Sequence, residues 1–121
     1  MEYAKLCDSE YRFMCVIWEA EPVSSGELVS LCQEKLGWKK STTYTVLRKL
    51  CEKGYLENKE TIVSALVSKE QVQAKESEEF VERTFDGSLP AFVAAFTARK
   101  ALSAEEVAAL REMIDAYGKE S

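Results

Sequence analysis

Short hydroxyl side chains, a phenol and two cations recur along one side of residues 38–54, a stretch with the periodicity of an amphipathic helix. Such groups hydrogen-bond to phosphate oxygens and base edges, and a threonine methyl can contact a thymine methyl. A merely solvated helix favours Glu, Lys and Gln at these positions, because Ser and Thr are poor helix formers. The chemistry indicated is DNA recognition by an outer face made of Ser41, Thr42, Tyr44, Thr45, Arg48 and Lys49.

Charge is distributed unevenly along the chain. The net charge is -5, yet residues 35–53 contain six cations and one anion, while the residues from 73 onward contain six cations and ten anions. Because charges beyond a Debye length of about 8 to 10 Å are screened, a basic patch on an acidic body can still bind a phosphate backbone. The complete set of predicted DNA contacts is Lys39, Lys40, Ser41, Thr42, Thr43, Tyr44, Thr45, Arg48, Lys49 and Lys59.

The composition argues against several other kinds of chemistry. Histidine is missing, the four cysteines show no C-x-x-C spacing, and no phosphate loop or nucleophile motif occurs. We therefore predict no catalytic residue, no metal site and no cofactor, and a protein that is not an enzyme. The sequence also lacks a signal segment and an apolar run long enough to cross a bilayer, which predicts a cytoplasmic protein without membrane contact.

Two helices are predicted before the helix that carries the outer face. The first runs from the N-cap candidates Asp8 and Ser9 to about Ala20, and the second lies between the Ser24–Glu27 capping box and Gly37. The predicted core stripes are Tyr11, Met14, Cys15 and Trp18 on the first helix, and Leu28, Leu31, Cys32 and Leu36 on the second.

The third helix is predicted from about Ser41 to Lys53, with Ser41 or Thr42 as its cap and Gly54 just beyond its end. Trp38 is predicted to pack on the core, and Lys53 to complement the helix dipole. A tight connection between the second and third helices is typical of a helix-turn-helix. The predicted inner face is Thr43, Val46, Leu47, Leu50 and Cys51.

A β-hairpin is predicted over residues 55–67, where β-branched residues flank a polar turn around residues 58–60. Three helices followed by a hairpin form a winged helix, with Lys59 at the tip of the wing. The predicted fold is mainly α, with a DNA-binding winged helix over residues 1–70.

Residues 71–121 are predicted to form a helical dimerisation domain. Capping boxes at Ser68–Gln71 and Ser103–Glu106 begin two helices, and residues 86–88 separate a third. About fifty residues of amphipathic helix bury their apolar stripes poorly alone, so a second copy of the chain is expected to cover them. The predicted interface is Leu89, Phe92, Val93, Phe96, Leu102, Val107, Leu110, Met113, Ile114 and Tyr117.

The chain resembles the penicillinase-repressor family, the BlaI/MecI/CopY group of bacterial winged-helix repressors. The resemblance covers nearly the whole length and depends on an ordered set of short motifs. These are MCVIWE at 14–19, GW at 37–38, TYTVLRKL at 43–50, KGYL at 53–56, FDGS at 85–88 and LSAEEV at 102–107.

This resemblance implies a repressor that binds an inverted-repeat operator, built on TACA and TGTA halves, as a homodimer. In antibiotic-sensing members a membrane-bound metalloprotease sensor cuts an Asn–Phe bond. The aligned bond here joins Ala95 to Phe96, so cleavage by such a sensor is not predicted. Copper-sensing members end in a Cys-x-Cys tail that this chain lacks, so no copper switch is predicted.

Three alternatives remain open at this point. The hydroxyl cluster could be an N-cap on a solvated face, and the stripes of the last two helices could form an intramolecular core. The whole winged helix could also be a protein-interaction module that does not read DNA, a function that suits the acidic net charge.

Overall fold

The computed structural model describes residues 5–120, which fold into six α-helices and three short strands. This architecture confirms the predicted, mainly α, winged helix-turn-helix. The elements are α1 (Asp8–Ala20), β1 (Val23–Ser24), α2 (Ser25–Leu36), α3 (Lys40–Glu52), β2 (Leu56–Lys59), β3 (Ile62–Ala65), α4 (Lys69–Phe85), α5 (Leu89–Arg99) and α6 (Ala104–Glu120).

Serine side chains begin three of the helices as predicted. Ser24 Oγ accepts a hydrogen bond from the N–H of Glu27 at 3.1 Å, at the start of α2. The Ser68–Gln71 box is reciprocal, with bonds of 2.8 and 3.0 Å, and the Ser103–Glu106 box is reciprocal at 2.9 and 3.1 Å. Each box satisfies N–H groups that a helix start leaves without intrahelical partners.

Helix α2 ends at Gly37, which adopts the left-handed conformation at φ 70°. Trp38 then continues directly toward α3, and its N–H donates to the carbonyl of Cys32 at 3.2 Å. The indole ring of Trp38 stacks on Phe13 of α1 with ring centroids 5.5 Å apart. This confirms the predicted core packing of Trp38 and fixes the start of α3 against α1 and α2.

The wing is a two-residue hairpin between β2 and β3. Glu60 and Thr61 form its turn at φ 50° and 68°. The turn is shorter than predicted, because Asn58 and Lys59 still pair with Val63 and Ile62. Strand β1 was not predicted, because its two residues are too few to show alternation. This strand pairs antiparallel with β3 and gives a three-stranded sheet in the order β1-β3-β2.

The core of the winged helix lies between α1, α2, α3 and the sheet. The predicted stripe on α1 was partly wrong, because Phe13, Val16 and Ile17 are buried with Met14 while Tyr11, Cys15 and Trp18 are only half-buried. Apolar residues surround most of α1, so the helical period alone did not identify the buried side. The largest fully buried side chains are Phe13, Met14, Ile17, Leu28, Leu50, Leu56, Val63, Thr43 and Cys32.

A buried ion pair joins the first turn of α1 to the end of α3. The Glu10 carboxylate accepts the N–H of Cys7 at 2.9 Å and contacts Lys53 Nζ at 3.0 Å. Helix α1 therefore begins after Cys7 and not after the predicted caps Asp8 and Ser9. Lys53, which was predicted to complement the helix dipole, instead neutralises Glu10.

Contacts divide the chain into two compact units, one up to Ser77 and one from Glu78 onward. The division falls within α4, whereas the predicted domain boundary follows residue 70. Residues 1–4 and 121, which the predicted domains include, lie outside the described residues. No helix in the described range is long and apolar enough to cross a membrane.

The second unit contains the end of α4 together with α5 and α6. Phe80, Phe85, Phe92 and Phe96 contact one another in sequence, with adjacent ring centroids 5.6 to 6.3 Å apart. Even so, none of the side chains described between residues 78 and 119 is buried. This unit has an aromatic cluster but no enclosed core. Ala95 and Phe96, which flank the aligned cleavage bond, are both exposed in α5.

The Glu10–Lys53 pair predicts how stability depends on pH. Burial alone would raise the pKa of the Glu10 carboxyl, but hydrogen bonds from Cys7 and Lys53 outweigh it and hold the pKa below its ordinary value of 4.5. Because the folded pKa is the lower one, the pair stabilises the fold above the unfolded pKa. That contribution is lost as pH falls through the folded pKa.

Glu10→Gln is therefore expected to lower the free energy of unfolding by about 2 kcal/mol at neutral pH. It should also flatten the loss of stability as pH falls below the ordinary carboxyl pKa of 4.5, measured by urea unfolding at each pH. Glu19→Gln is the matched control, since Glu19 forms an exposed pair with Lys35 at 3.4 Å and should change stability by about 0.5 kcal/mol or less. Equal effects of the two substitutions would contradict a stabilising role for the buried pair.

Candidate nucleic-acid interface

Helix α3 has one buried side and one exposed side. Thr43, Leu47 and Leu50 are buried, with Val46 and Cys51 half-buried beside them, which matches the predicted inner face. The side chains of the predicted outer face are all exposed: Ser41, Thr42, Tyr44, Thr45, Arg48 and Lys49. The structure thus brings together on one surface the hydroxyls, phenol and cations that the sequence singled out.

The inclusion of Thr43 among the predicted DNA contacts was wrong. Its side chain is completely buried, and its hydroxyl donates to the carbonyl of Lys39 at 3.1 Å within the helix. Thr45 is different, because it is exposed while its hydroxyl donates to the Ser41 carbonyl at 2.9 Å. The oxygen of Thr45 can still accept a hydrogen bond, and its methyl group is available for an apolar contact.

The start of α3 also differs from the prediction. The helix begins at Lys40 with Lys39 as its N-cap, and no side chain caps it. Ser41 and Thr42 lie inside the first turn, so the expectation that one of them is the cap was wrong. The amide N–H groups of this turn point out of the helix at the positive end of its dipole, beside the exposed Lys39 and Lys40. This arrangement attracts anions such as phosphate.

A cleft of about 470 Å³ separates α3 from the wing. Tyr44 and Arg48 of the outer face line it together with Asn58 of β2, and Leu47 and Cys51 lie deeper. Asn58 was not among the predicted DNA contacts, because it was predicted to lie in the turn of the hairpin. Its position in β2, opposite Val63, brings its amide next to the outer face of α3. Asn58 is therefore an additional candidate contact.

Lys59, the predicted wing contact, is exposed but is not alone. Its Nζ lies 3.5 Å from Glu57 Oε1 on the same strand, and Glu60 follows it in the turn. The cation on the wing is thus flanked by two carboxylates, unlike Lys39 and Lys40 at the start of α3.

The described residues offer little for metal or thiol chemistry. No group of three or more possible metal ligands occurs within residues 5–120. Burial raises the pKa of the Cys32 thiol, and burial together with the charge of Glu52 raises that of Cys51. Both thiols are therefore mainly protonated at neutral pH, as expected for cysteines that serve as small core side chains.

Comparison with known proteins gives matches over most of the chain. The family model described as "Penicillinase repressor" matches residues 6–116. The chain is similar to the methicillin resistance regulatory protein MecI of Staphylococcus aureus (strain Mu50 / ATCC 700699), with 24% identity over 115 residues that cover 92% of this chain and 94% of the relative. It is also similar to the penicillinase repressor of Bacillus licheniformis, with 24% identity covering 93% of this chain and 91% of the relative.

A shorter match is more similar in sequence. An uncharacterized 16.5 kDa protein from the ptsI 3' region of Latilactobacillus sakei is 35% identical over 52 residues, which cover 43% of this chain and 36% of that protein.

The uncapped start of α3 leads to a test of stability. Lys39→Asp places a carboxylate where it can accept first-turn N–H groups, so we expect the free energy of unfolding to rise by about 1 kcal/mol. Ser24→Ala is the reciprocal control, since it removes the existing cap of α2 and should lower stability by about the same amount. Urea unfolding measures both. An unchanged or less stable Lys39→Asp variant would show that this helix start is already satisfied.

Proposed function

The chain belongs to the penicillinase repressor family of transcriptional repressors, and from this premise we propose that it binds DNA as a homodimer at an inverted-repeat operator. The observation that carries the proposal is the exposed polar and cationic side of α3, presented by a helix-turn-helix whose opposite side is buried.

In the proposed complex, α3 lies in the major groove, which is wide enough for an α-helix. Arg48 is placed to read a base, because a guanidinium can make two hydrogen bonds to the O6 and N7 of guanine. Thr45 and Thr42 offer methyl groups for thymine and oxygens for hydrogen bonds. Tyr44 and Asn58, on opposite walls of the cleft, suit the sugar-phosphate strand that borders the groove.

The start of α3 supplies the remaining affinity. Lys39 and Lys40 flank the uncapped first turn, so two side-chain cations and the helix dipole act on the same phosphate region. Most of the chain's acidic excess lies after residue 73, whereas residues 35–53 carry six cations and one anion. We expect affinity to fall steeply with salt concentration, because each neutralised phosphate releases counterions.

The homodimer is supported by the second unit. Its α6 exposes apolar side chains, with Met113 66%, Ile114 68% and Tyr117 78% exposed, and Leu89, Val93 and Phe96 are exposed on α5. A contiguous apolar surface without a core is characteristic of a chain that buries it against a partner. A second copy would bury these side chains and link two DNA-binding heads, which raises affinity through effective concentration. The two-fold symmetry of such a dimer matches an inverted repeat.

The test of the proposed function is a fluorescence anisotropy titration. The purified protein is titrated into a TACA/TGTA inverted-repeat duplex and a scrambled duplex across a salt series, and light scattering gives its mass. We expect a dimer that prefers the inverted repeat and shows a steep salt dependence. Weak, equal binding of both duplexes with little salt dependence would favour the protein-interaction module, a function that the acidic net charge also suits.

Arg48→Ala is expected to weaken operator binding by about 1 to 3 kcal/mol and to relax preference at the base pair it reads. Arg12→Ala is the matched control, because Arg12 is an exposed arginine of α1 and its removal changes the net charge equally. Anisotropy titration with operator variants distinguishes the loss of base reading in Arg48→Ala from the general loss of charge in Arg12→Ala. Equal losses for both variants would mean that Arg48 contributes only general charge.

Ile114→Glu is expected to convert the dimer into monomers, because a carboxylate buried without a partner in an apolar interface is strongly unfavourable. Ile114 is exposed in the single chain, so the substitution should leave the fold of the monomer intact. Ala116→Glu adds the same charge beside Arg111, Glu112 and Asp115, away from the apolar stripe, and should remain dimeric. Sedimentation velocity would contradict the interface if the Ile114→Glu variant stayed dimeric.

A further inference from the structure

The wing carries a net negative charge, whereas DNA binding is favoured by positive charge. Residues 56–61 include Glu57, Lys59 and Glu60, a net charge of -1 in the hairpin whose Asn58 lines the cleft with Tyr44 and Arg48. Lys59 and Glu57 lie within 3.5 Å of each other, with their side chains 78% and 37% exposed. An exposed pair of this kind adds little stability, but the carboxylate offsets the charge of Lys59 in any orientation of the lysine.

The wing is also held in place. The carbonyl of Thr61 in the turn accepts the N–H of Ser25, at the start of α2, at 2.8 Å. Strand β3 pairs with β1 on its other side, and the N–H of Ala65 donates to Glu21 Oε1 at 2.8 Å. A hairpin bonded at its turn and along its second strand cannot swing away from the outer face as a flexible loop would.

The position of the wing relative to α3 follows from the cleft. Asn58 lines the cleft with Tyr44 and Arg48, and Glu57 and Lys59 are its neighbours on β2. Because successive side chains of a strand alternate, Glu57 and Lys59 point to the face of β2 opposite to Asn58, and Glu60 follows in the turn. Glu57 is one residue and Glu60 two residues from Asn58, about 3 and 7 Å of backbone, so a DNA strand seated against Tyr44 and Arg48 passes within about a Debye length of both carboxylates. At that range, within a Debye length, the carboxylates repel the phosphates and salt screens the repulsion only in part.

The turn itself does not account for a glutamate at position 60. Glu60 and Thr61 both have positive φ, a conformation in which Asn and Gly are favoured in two-residue hairpins. A glutamate here gains nothing from the local backbone.

We propose that the acidic wing limits the affinity of this protein for DNA without reading sequence. The inference rests on the proposed function and deepens it: Glu57 and Glu60 suppress phosphate contacts by the wing, including the contact expected of Lys59. Operator binding then depends on α3 and on dimerisation, and occupancy of non-specific DNA stays low because such binding relies on phosphate contacts alone.

Neutralising the wing tests this inference. Glu57→Gln and Glu60→Gln keep the side-chain shapes and are each expected to tighten binding to both the operator and a scrambled duplex by roughly three- to twentyfold, with two wings contributing per dimer. The ratio between the two duplexes should stay within about twofold. For Glu57→Gln the log–log salt slope should steepen by about 1 to 2, because each freed Lys59 neutralises roughly one phosphate.

Lys59→Ala completes a double-mutant cycle with Glu57→Gln. In the otherwise unchanged protein it leaves Glu57 and Glu60 without the nearby cation and should weaken binding to both duplexes by roughly three- to twentyfold. In the Glu57→Gln background it should cancel the gain and restore the affinity of the unchanged protein, because the wing again carries one net negative charge. Glu70→Gln is the matched control, since it removes one exposed carboxylate from the first turn of α4, outside the wing. Thermal unfolding of every variant shows whether its fold is intact.

The possible outcomes distinguish a failure of this inference from a failure of the proposed function. If the two wing variants behave like Glu70→Gln, or if Lys59→Ala leaves the affinity of both the unchanged protein and the Glu57→Gln variant unaltered, the inference is overturned while the proposed function stands. A gain confined to the operator would also overturn it, because the wing would then read sequence. If the unchanged protein shows neither preference nor salt dependence, the proposed function fails, and this inference with it.

Discussion

The fold depends on burying one side of α3 while leaving the other side bare. Leu47 and Leu50, together with the buried Thr43, form the inner side of the helix, which packs against α2 and β2. The Trp38–Phe13 stack sets where the helix begins, and the Glu10–Lys53 pair fixes where it ends. With both ends and the inner side held, the outer side chains keep defined positions without contributing to stability. Because the residue types on this surface are not needed for folding, they can suit the binding of a ligand.

Much of this organisation could be predicted from the sequence, because it depends on local rules. Serine followed three residues later by Glu or Gln marked the starts of α2, α4 and α6, and Gly37 and Gly54 marked the ends of α2 and α3. Helical periodicity identified the buried and exposed sides of α3 correctly. It failed on α1, where apolar residues face neighbours on several sides, and for Thr43, whose polar type concealed complete burial.

The remaining features arise from contacts between distant parts of the chain, which no local pattern reports. Lys53 meets Glu10 across 43 positions, and β1 exists because β3 returns to pair with it. Asn58 entered the candidate interface for the same reason, since only the register of β2 places it beside Tyr44 and Arg48. The proposed operator contacts and the proposed dimer interface involve other molecules, and a single chain contains only one half of each.

The coreless second unit has a consequence for how repression would respond to the amount of protein. Dimer formation is second order in chain concentration, so the population of paired heads falls faster than the protein level when synthesis slows. Chains left single would expose the aromatic cluster and the α6 stripe, and a loosely packed helical unit opens readily to cellular proteases. Dilution and degradation would then reinforce each other. In the proposed homodimer, the apolar surface that holds the two chains together would also make each chain short-lived once its partner is lost.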